Sequence, residues 1–433
     1  MLCFGHMADH IQKRWFPLDN AAHLFPTIES DNRTAVFRLA VTLKEEIRKE
    51  PLQKAVNRVL TRFPTFRVRL VRGMFWNVLD ENRNPLLVEK DVRNPCMRLD
   101  YRRSKGHLLR VRYFKNRIAV EFFHSLTDGT GGMSFLLTLA AEYLSERGYS
   151  IPRDETVLDV TETPSSEEIE DAFVRYHKPG MPRSGGDPPA FQYRGDAAES
   201  GTIHHIHGVI PYTRLKEAAS RHQTSITVFL TAVYLKVLQD IQEKGPVSKR
   251  KAPIRLCIPV NLRNHFPSKT RRNFSHFLTP SIYRWKEERY QFSELLHSIH
   301  HQLTLNNRPR ILQREFSPNV AAMTNPVIRG MPLFIKNLVI RLVSHSVGER
   351  LFSGMLSNLG NVTLPPELQE HVERLDFQLG PNRKIGSSLS MLGYNGNIYI
   401  NFVRSTEDPK IERRFFRELI QQSVPVKIQS NWR

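Results

Sequence analysis

From Ile118 to Leu144 the chain reads IAVEFFHSLTDGTGGMSFLLTLAAEYL, and the spacing of its apolar residues changes partway along. Ile118 to Phe123 is a short apolar run with β-branched and aromatic members, suited to a strand buried on at least one face. After Met133, Phe135, Leu136, Leu139, Ala140, Tyr143 and Leu144 gather on one broad face and predict a core helix over 133–147. The glycine-rich residues between the two form a loop. The same periodicities place a strand at 34–42 and a helix at 50–62, whose Leu52, Val56, Val59, Leu60 and Phe63 recur at helical spacing until Pro64 ends it. Strands at 66–71, 75–79, 86–89 and 108–113 are separated by Gly, Asn, Asp and Pro signals.

A polar stretch from Arg153 to Ser200 carries Pro164, Pro179, Pro182, Pro188 and Pro189. Apart from a helix expected over 165–176 it reads as a crossover linker. Beyond it the pattern predicts strands at 202–210, 254–260, 277–284, 352–358, 372–379, 386–392 and 397–404. Helices are expected at 212–221, 226–241, 292–305 and 409–422. Strands and helices mix without regular β-α alternation, which favours an α/β fold of the α+β kind, built in sandwich layers. The expected division is a first lobe at 1–180 and a second at 181–433, with 181–200 as the crossover.

The chain has 433 residues and 40% hydrophobic content, enough for a large core and, by length, for two or three domains. Cys3, Cys96 and Cys257 are few and odd in number, which argues against a disulfide framework or a zinc site and makes a reducing, cytoplasmic setting the default. No stretch has the roughly 18 uninterrupted apolar residues of a membrane span, and the N-terminus lacks a signal-peptide core. The chain is expected to be soluble or peripheral.

With 63 basic against 43 acidic residues the net charge is +20, which allows nucleic acid, an anionic membrane or phosphorylated ligands as partners. Arg67, Arg69, Arg72, Arg102, Arg103, Arg110 and Arg112 are spread along the chain and read mainly as solvated faces. Without a nucleic-acid-binding motif beside them, nucleic acid is not an expected partner. Part of the charge suits a landing surface for phosphates or an acidic carrier protein. His204, His205 and His207 form a cluster, but alternation is read as setting His205 apart from the other two, and no carboxylate or cysteine stands at metal spacing. No metal is expected. The segment MPLFIKNLVIRLV, Met331 to Val343, reads as core or tunnel wall, with a membrane surface as its weaker alternative.

Chemistry concentrates in the loop after the 118–123 strand. His124 stands at the strand end, Asp128 and Gly129 follow at H-x-x-x-D-G spacing, and Gly131 and Gly132 come next. A ring that titrates near neutrality, delivered at a strand end into a cleft, suits a general base. So short a pattern could equally hold a hydrogen-bonded core histidine. The strand, loop and helix around it favour the base.

FHSLTDGTGG resembles the H-H-x-x-x-D-G signature of the chloramphenicol acetyltransferase and condensation-domain superfamily, and most resembles its alcohol acetyltransferase-like branch. The second histidine of the signature falls on His124, and the first on Phe123. RFPTFRVRL, from Arg62 to Leu70, resembles the family's early R-H-E-x-L-R element, and PVNLRNHFPSKTRRNF, from Pro259 to Phe274, its post-strand segment. The resemblance implies two chloramphenicol-acetyltransferase-like lobes packed as a pseudo-dimer, with an interlobe tunnel and one active site near its middle. It implies transfer of an acyl group from acyl-CoA, or alternatively an acyl carrier protein, to a small alcohol or amine acceptor, with no bound cofactor.

On that reading His124 takes the acceptor proton, and a thiol leaving group with a pKa near 8.5 needs little acid help. Asp128 pairs with an arginine, Arg62, Arg67 or Arg263, and fixes the loop. Gly129 and Gly131 suit tight backbone turns or close approach. Phe123 keeps a second class open, a non-catalytic lipid- or partner-binding relative of the same fold.

Overall fold

The computed structural model describes residues 15–431 except 32, 183–184, 200 and 284–287. Cys3 and the N-terminal stretch lie outside the described residues.

The first half is built on a five-stranded sheet ordered Val372–Gln378, Val36–Leu43, Arg117–Phe123, Leu109–Phe114, Glu89–Lys90. Alternation along its strands sorts side chains to two faces. One face, with Phe37, Leu39 and Phe122, meets Gly132 of the helix Gly129–Glu146, which is buried from Gly131 through Leu144 and packs on the helix Lys49–Arg62. That helix begins at the glycines, four residues before the 133 expected, because Asp128 caps it.

The opposite face is polar. Gln378 stands across from Arg38, Arg38 across from Glu121, and Glu121 across from Arg110, a row running over four strands. Glu121 is fully buried and receives Arg38, Arg110 and Arg112 at 3.2, 2.6 and 3.2 Å. Arg110 and Arg112 are therefore not solvated charges but partners of one interior carboxylate, whereas Arg69, Arg72, Arg102 and Arg103 are exposed as expected.

The second half has an eight-stranded mixed sheet. Its order is Ser275–Leu278, Ile254–Asn261, Gly354–Asn361, Ser387–Tyr394, Asn397–Arg404, His204–Pro211, Lys427–Ser430, with Ser281–Ile282 beside the second of these. Leu256, Leu356, Leu389, Ile400 and Phe402 form a core with Phe229 and Val233 of the helix Ile226–Glu243 and Phe415 of the helix Lys410–Gln421. A small three-stranded sheet, Trp15–Pro17, Asn77–Glu81, Val68–Arg72, completes the molecule. The two large sheets meet at the polar row. His205 bonds Gln378, Asn401 Nδ2 donates to the Phe377 carbonyl at 2.6 Å, and the Tyr394 hydroxyl donates to the Val372 carbonyl at 3.1 Å.

Several expectations need correction. The division at 180/181 is crossed both ways: Val372–Gln378 belongs to the first sheet, and Phe173 of the helix Ala172–Tyr176 packs against Phe274 and Phe316. Within the expected crossover, Ala190 and Phe191 lie against the second half, their amides donating to the carbonyls of Arg350 and Pro253 at 2.7 Å each. The single helix expected over 165–176 is two, Ser166–Ile169 and Ala172–Tyr176, because Asp171 caps the second. The helix Pro309–Thr324 was not expected. It tolerates Pro318 because Leu312, Phe316 and Val320, one turn apart, are buried. His205 does not stand apart from His207: two residues apart on a strand they share a face, with ring centroids 6.5 Å apart, and it is His204 that points the other way, toward Glu407. Among the described residues no group of His, Cys, Asp or Glu could hold a metal ion.

Candidate active site

The last residue of the strand Arg117–Phe123 is Phe123, fully buried opposite Val36, so the position where the signature has its first histidine is filled by core. Its neighbour His124 is anchored through its amide, which donates to the Ala35 carbonyl at 2.9 Å. The side chain projects half-buried into the seam between the halves. One ring face is covered by Phe25, stacked at 4.3 Å, and Phe37 meets it edge-on at 5.1 Å.

The second half supplies what orients the ring. Nδ1 lies 3.0 Å from Oδ1 of Asn273, and Nδ2 of Asn273 donates to the His124 carbonyl at 3.0 Å and to Oδ2 of Asp19 at 3.1 Å. A main-chain carbonyl can only accept, so the NH2 group must face it and the amide oxygen must face the ring. The proton therefore sits on Nδ1, and Nε2 presents a lone pair. Nε2 has no hydrogen bond among the described residues. Burial holds the ring's pKa below its ordinary value, against the opposing pull of its own main-chain carbonyl, Asp128, Asn273 and Asp19. Burial therefore favours the neutral ring.

Asp128 has no such open position. Oδ1 accepts from the amides of Thr130 and Gly131 at 3.1 Å each, capping the helix, and Oδ2 accepts from Arg263 Nη1 and the Phe274 amide at 2.8 Å each. Four donors fill the capacity of an ionised carboxylate. Of the three candidate arginines, Arg263 is the one in contact. Its remaining donors hold the carbonyls of Thr270 and Arg272 at 2.8 and 2.7 Å, so the ion pair also shapes the loop that delivers Asn273. Arg62 is instead paired with Glu168 through two bonds of 2.7 and 3.1 Å. Arg67 lies on the segment entering the small sheet, where its carbonyl accepts from the Asn82 amide.

The glycines serve closure between the halves. A Cβ on Gly131 would stand 2.1 Å from the Arg271 carbonyl oxygen, a main-chain atom with no room to yield; one on Gly129 would stand 2.4 Å from Leu359 Cδ2. Both close approaches are to protein from the second half. Among the described residues the thiols are not poised for chemistry, since Cys96 and Cys257 are buried, which raises both pKa values, Cys257 to about 12. A concavity of about 330 Å³ lined by Ile206, Arg404, Arg413 and Phe416 contains none of these site residues.

Asp19, Asn273 and Phe25 were not singled out from the sequence. Asn273 is the next-to-last residue of the segment 259–274, in which the arginines are the conspicuous residues. Asp19 and Phe25 lie ahead of the first expected strand at 34–42, where nothing in their spacing marks them.

Two mixed lobes with a histidine-bearing loop set in the seam between them define the class: this is the condensation-domain fold, with the chloramphenicol-acetyltransferase-like pair of lobes. Polyketide synthase associated protein 5 from Mycobacterium tuberculosis superposes over 93% of this chain and 98% of its own, with a TM-score of 0.59 and 16% identity. TRI101 of F. graminearum, solved with coenzyme A and deoxynivalenol, covers 96% and 99% with a TM-score of 0.61 and 11% identity. The starter condensation domain of rhizomide synthetase RzmA, solved with C8-CoA and Leu-SNAC, covers 97% and 96% with a TM-score of 0.59 and 13% identity. No protein-family model and no curated relative matches the sequence.

Proposed function

We propose that the protein is an acyltransferase that moves an acyl group from a thioester donor to an alcohol or amine, with His124 as general base. The observation that carries this reading is the Asn273 amide, whose orientation requires a proton on Nδ1, so that on the neutral ring favoured by burial Nε2 carries the lone pair. Nε2 takes the acceptor proton as the hydroxyl or amine attacks the thioester carbon, and returns it to the departing thiolate. No covalent enzyme intermediate is needed, and the two buried cysteines offer none. Asn273 and Asp19 hold the ring, while Asp128 and Arg263 hold the loop from which Asn273 reaches it.

The coenzyme A complexes among the structural neighbours support a coenzyme A thioester as co-substrate, and a carrier-protein thioester is the second donor option. The test is a free-thiol release assay with acyl-CoAs of graded chain length against a panel of alcohols and amines, run for the parent and His124→Ala. Acceptor-dependent thiol release by the parent alone supports the reading. Release by neither across the panel favours the non-catalytic reading, for which buried Phe123 is the specific observation.

A further inference from the structure

The helix Leu333–Val347 is turned inside out for a soluble protein. Phe334, Leu338 and Leu342, one turn apart, are 75, 59 and 61% exposed, and Ile335 and Val339 widen the stripe. The one buried side chain among those described on this helix is a lysine. Lys336, 4% exposed, is held by the carbonyls of Phe75 and Arg329 at 2.9 and 3.0 Å, with Nζ 3.4 Å from the Trp76 ring centre. A helix that packs its cation inward and its Phe and Leu outward gains nothing from water on that face.

Neighbouring segments extend the face. The Leu333 amide donates to the Met74 carbonyl at 2.9 Å, which brings the turn after Arg72 alongside, and Met74 and Val327 are 74 and 76% exposed. Scattered exposed apolar residues need no explanation, but a contiguous set from three segments marks a docking surface.

The charge around it selects the partner. From Phe316 to Gly348 the chain has no Asp or Glu, while Arg329 and Arg341 are exposed, as is Arg72 beside Met74. Apolar side chains flanked by arginines, on a stretch that itself carries no carboxylate, complement an anionic bilayer surface. No single helix among the described residues is long and apolar enough to cross a membrane, so this one would lie on the surface.

The face is also close to the base. Asn337 accepts from the Thr27 hydroxyl at 3.2 Å, and Thr27 belongs to the short helix Phe25–Ile28, whose Phe25 ring stacks on His124. We propose that the helix Leu333–Val347, with Met74, Val327 and the flanking arginines, docks the protein on an anionic bilayer. Resting on the acyl-transfer reading, the acceptor would be an apolar alcohol that partitions into that bilayer and enters past Phe25.

The test is flotation of the full chain with neutral phosphatidylcholine vesicles and with vesicles containing phosphatidylserine, beside sedimentation of the protein alone. Binding is expected to favour the anionic vesicles and to weaken with salt. Phe334→Glu and Leu338→Glu, both at exposed sites, should each weaken it at least about tenfold, and Arg329→Ala about fivefold. Equal binding to both vesicle types, no binding, or binding that survives both glutamates overturns the proposal, as does a dimer that Leu338→Glu disperses. Flotation needs no acyl donor and His124→Ala should float like the parent, so failure of the transfer reading leaves this result separately readable. Where transfer is observed, Leu338→Glu should slow it toward a bilayer-dissolved alcohol and leave a short soluble alcohol unaffected; equal loss on both would deny the delivery role.

Discussion

The loop between the strand Arg117–Phe123 and the helix Gly129–Glu146 has two ends built on opposite principles. At Asp128 every acceptor position is taken, by two helix amides, one arginine and one amide from the second half. At His124 one ring nitrogen is fixed by Asn273 and the other has no hydrogen bond among the described residues. A carboxylate with no remaining capacity is a fastening. A neutral ring whose open nitrogen faces a seam is positioned to move a proton. On the proposed reading, the two residues of one short motif divide between holding the halves together and doing chemistry, and substitutions should separate them.

The largest effect on stability is expected from Asp128→Ala. It strands the nearly buried Arg263 and uncaps the helix, and breaking such a pair costs roughly 3–5 kcal/mol. Thermal melts should show a clear fall, with activity lost alongside because the Asn273 loop loses its anchor. An Asp128→Ala protein that melts like the parent and is inactive would give the carboxylate a chemical part instead.

Asn273→Leu should act in the opposite way, leaving the Asp128–Arg263 pair in place while freeing the ring to change tautomer. Turnover should fall about tenfold to a hundredfold, with a smaller change in melting temperature. Unchanged turnover would remove Asn273 from the account.

A finer separation comes from pH. Burial lowers the His124 pKa, so the neutral base persists below the ordinary histidine value, and kcat/KM should hold on acidification through pH 6.5 and fall only beneath it. An acid limb above 6.5 that survives in Asp171→Asn would contradict this. Burial raises the neighbouring carboxyls Asp19 and Asp171, Asp171 to about 7, so a limb near 7 that disappears in Asp171→Asn belongs to that pair.

Much of this comparison was legible in the sequence because it depends on local order. An apolar run, a histidine at its end and glycines before an apolar helix are all adjacent in the chain, and periodicity located them within a few residues. What was not legible depends on distant pairing. Nothing local tells Arg263 from Arg62, since each lies in a basic, motif-like segment, and the choice is made by which carboxylate the fold brings near. Asn273 and Asp19 meet His124 only after the halves close. The strand Val372–Gln378 reads as a strand from its pattern, but its place in the first sheet is topology. The lysine inside the helix Leu333–Val347 inverts the rule used to read that segment, so periodicity alone took it for core or tunnel wall.

The most direct test of the central claim is His124→Ala, measured by steady-state transfer and by thermal melting on the same preparation, with the acceptor that proves best in the thiol-release panel. Turnover should fall by about 10²- to 10⁴-fold, the usual contribution of a general base, while the melting temperature stays near the parent's. A variant that retains near-parental turnover, or loses it only in proportion to lost folded protein, would contradict the assignment of His124 as the base.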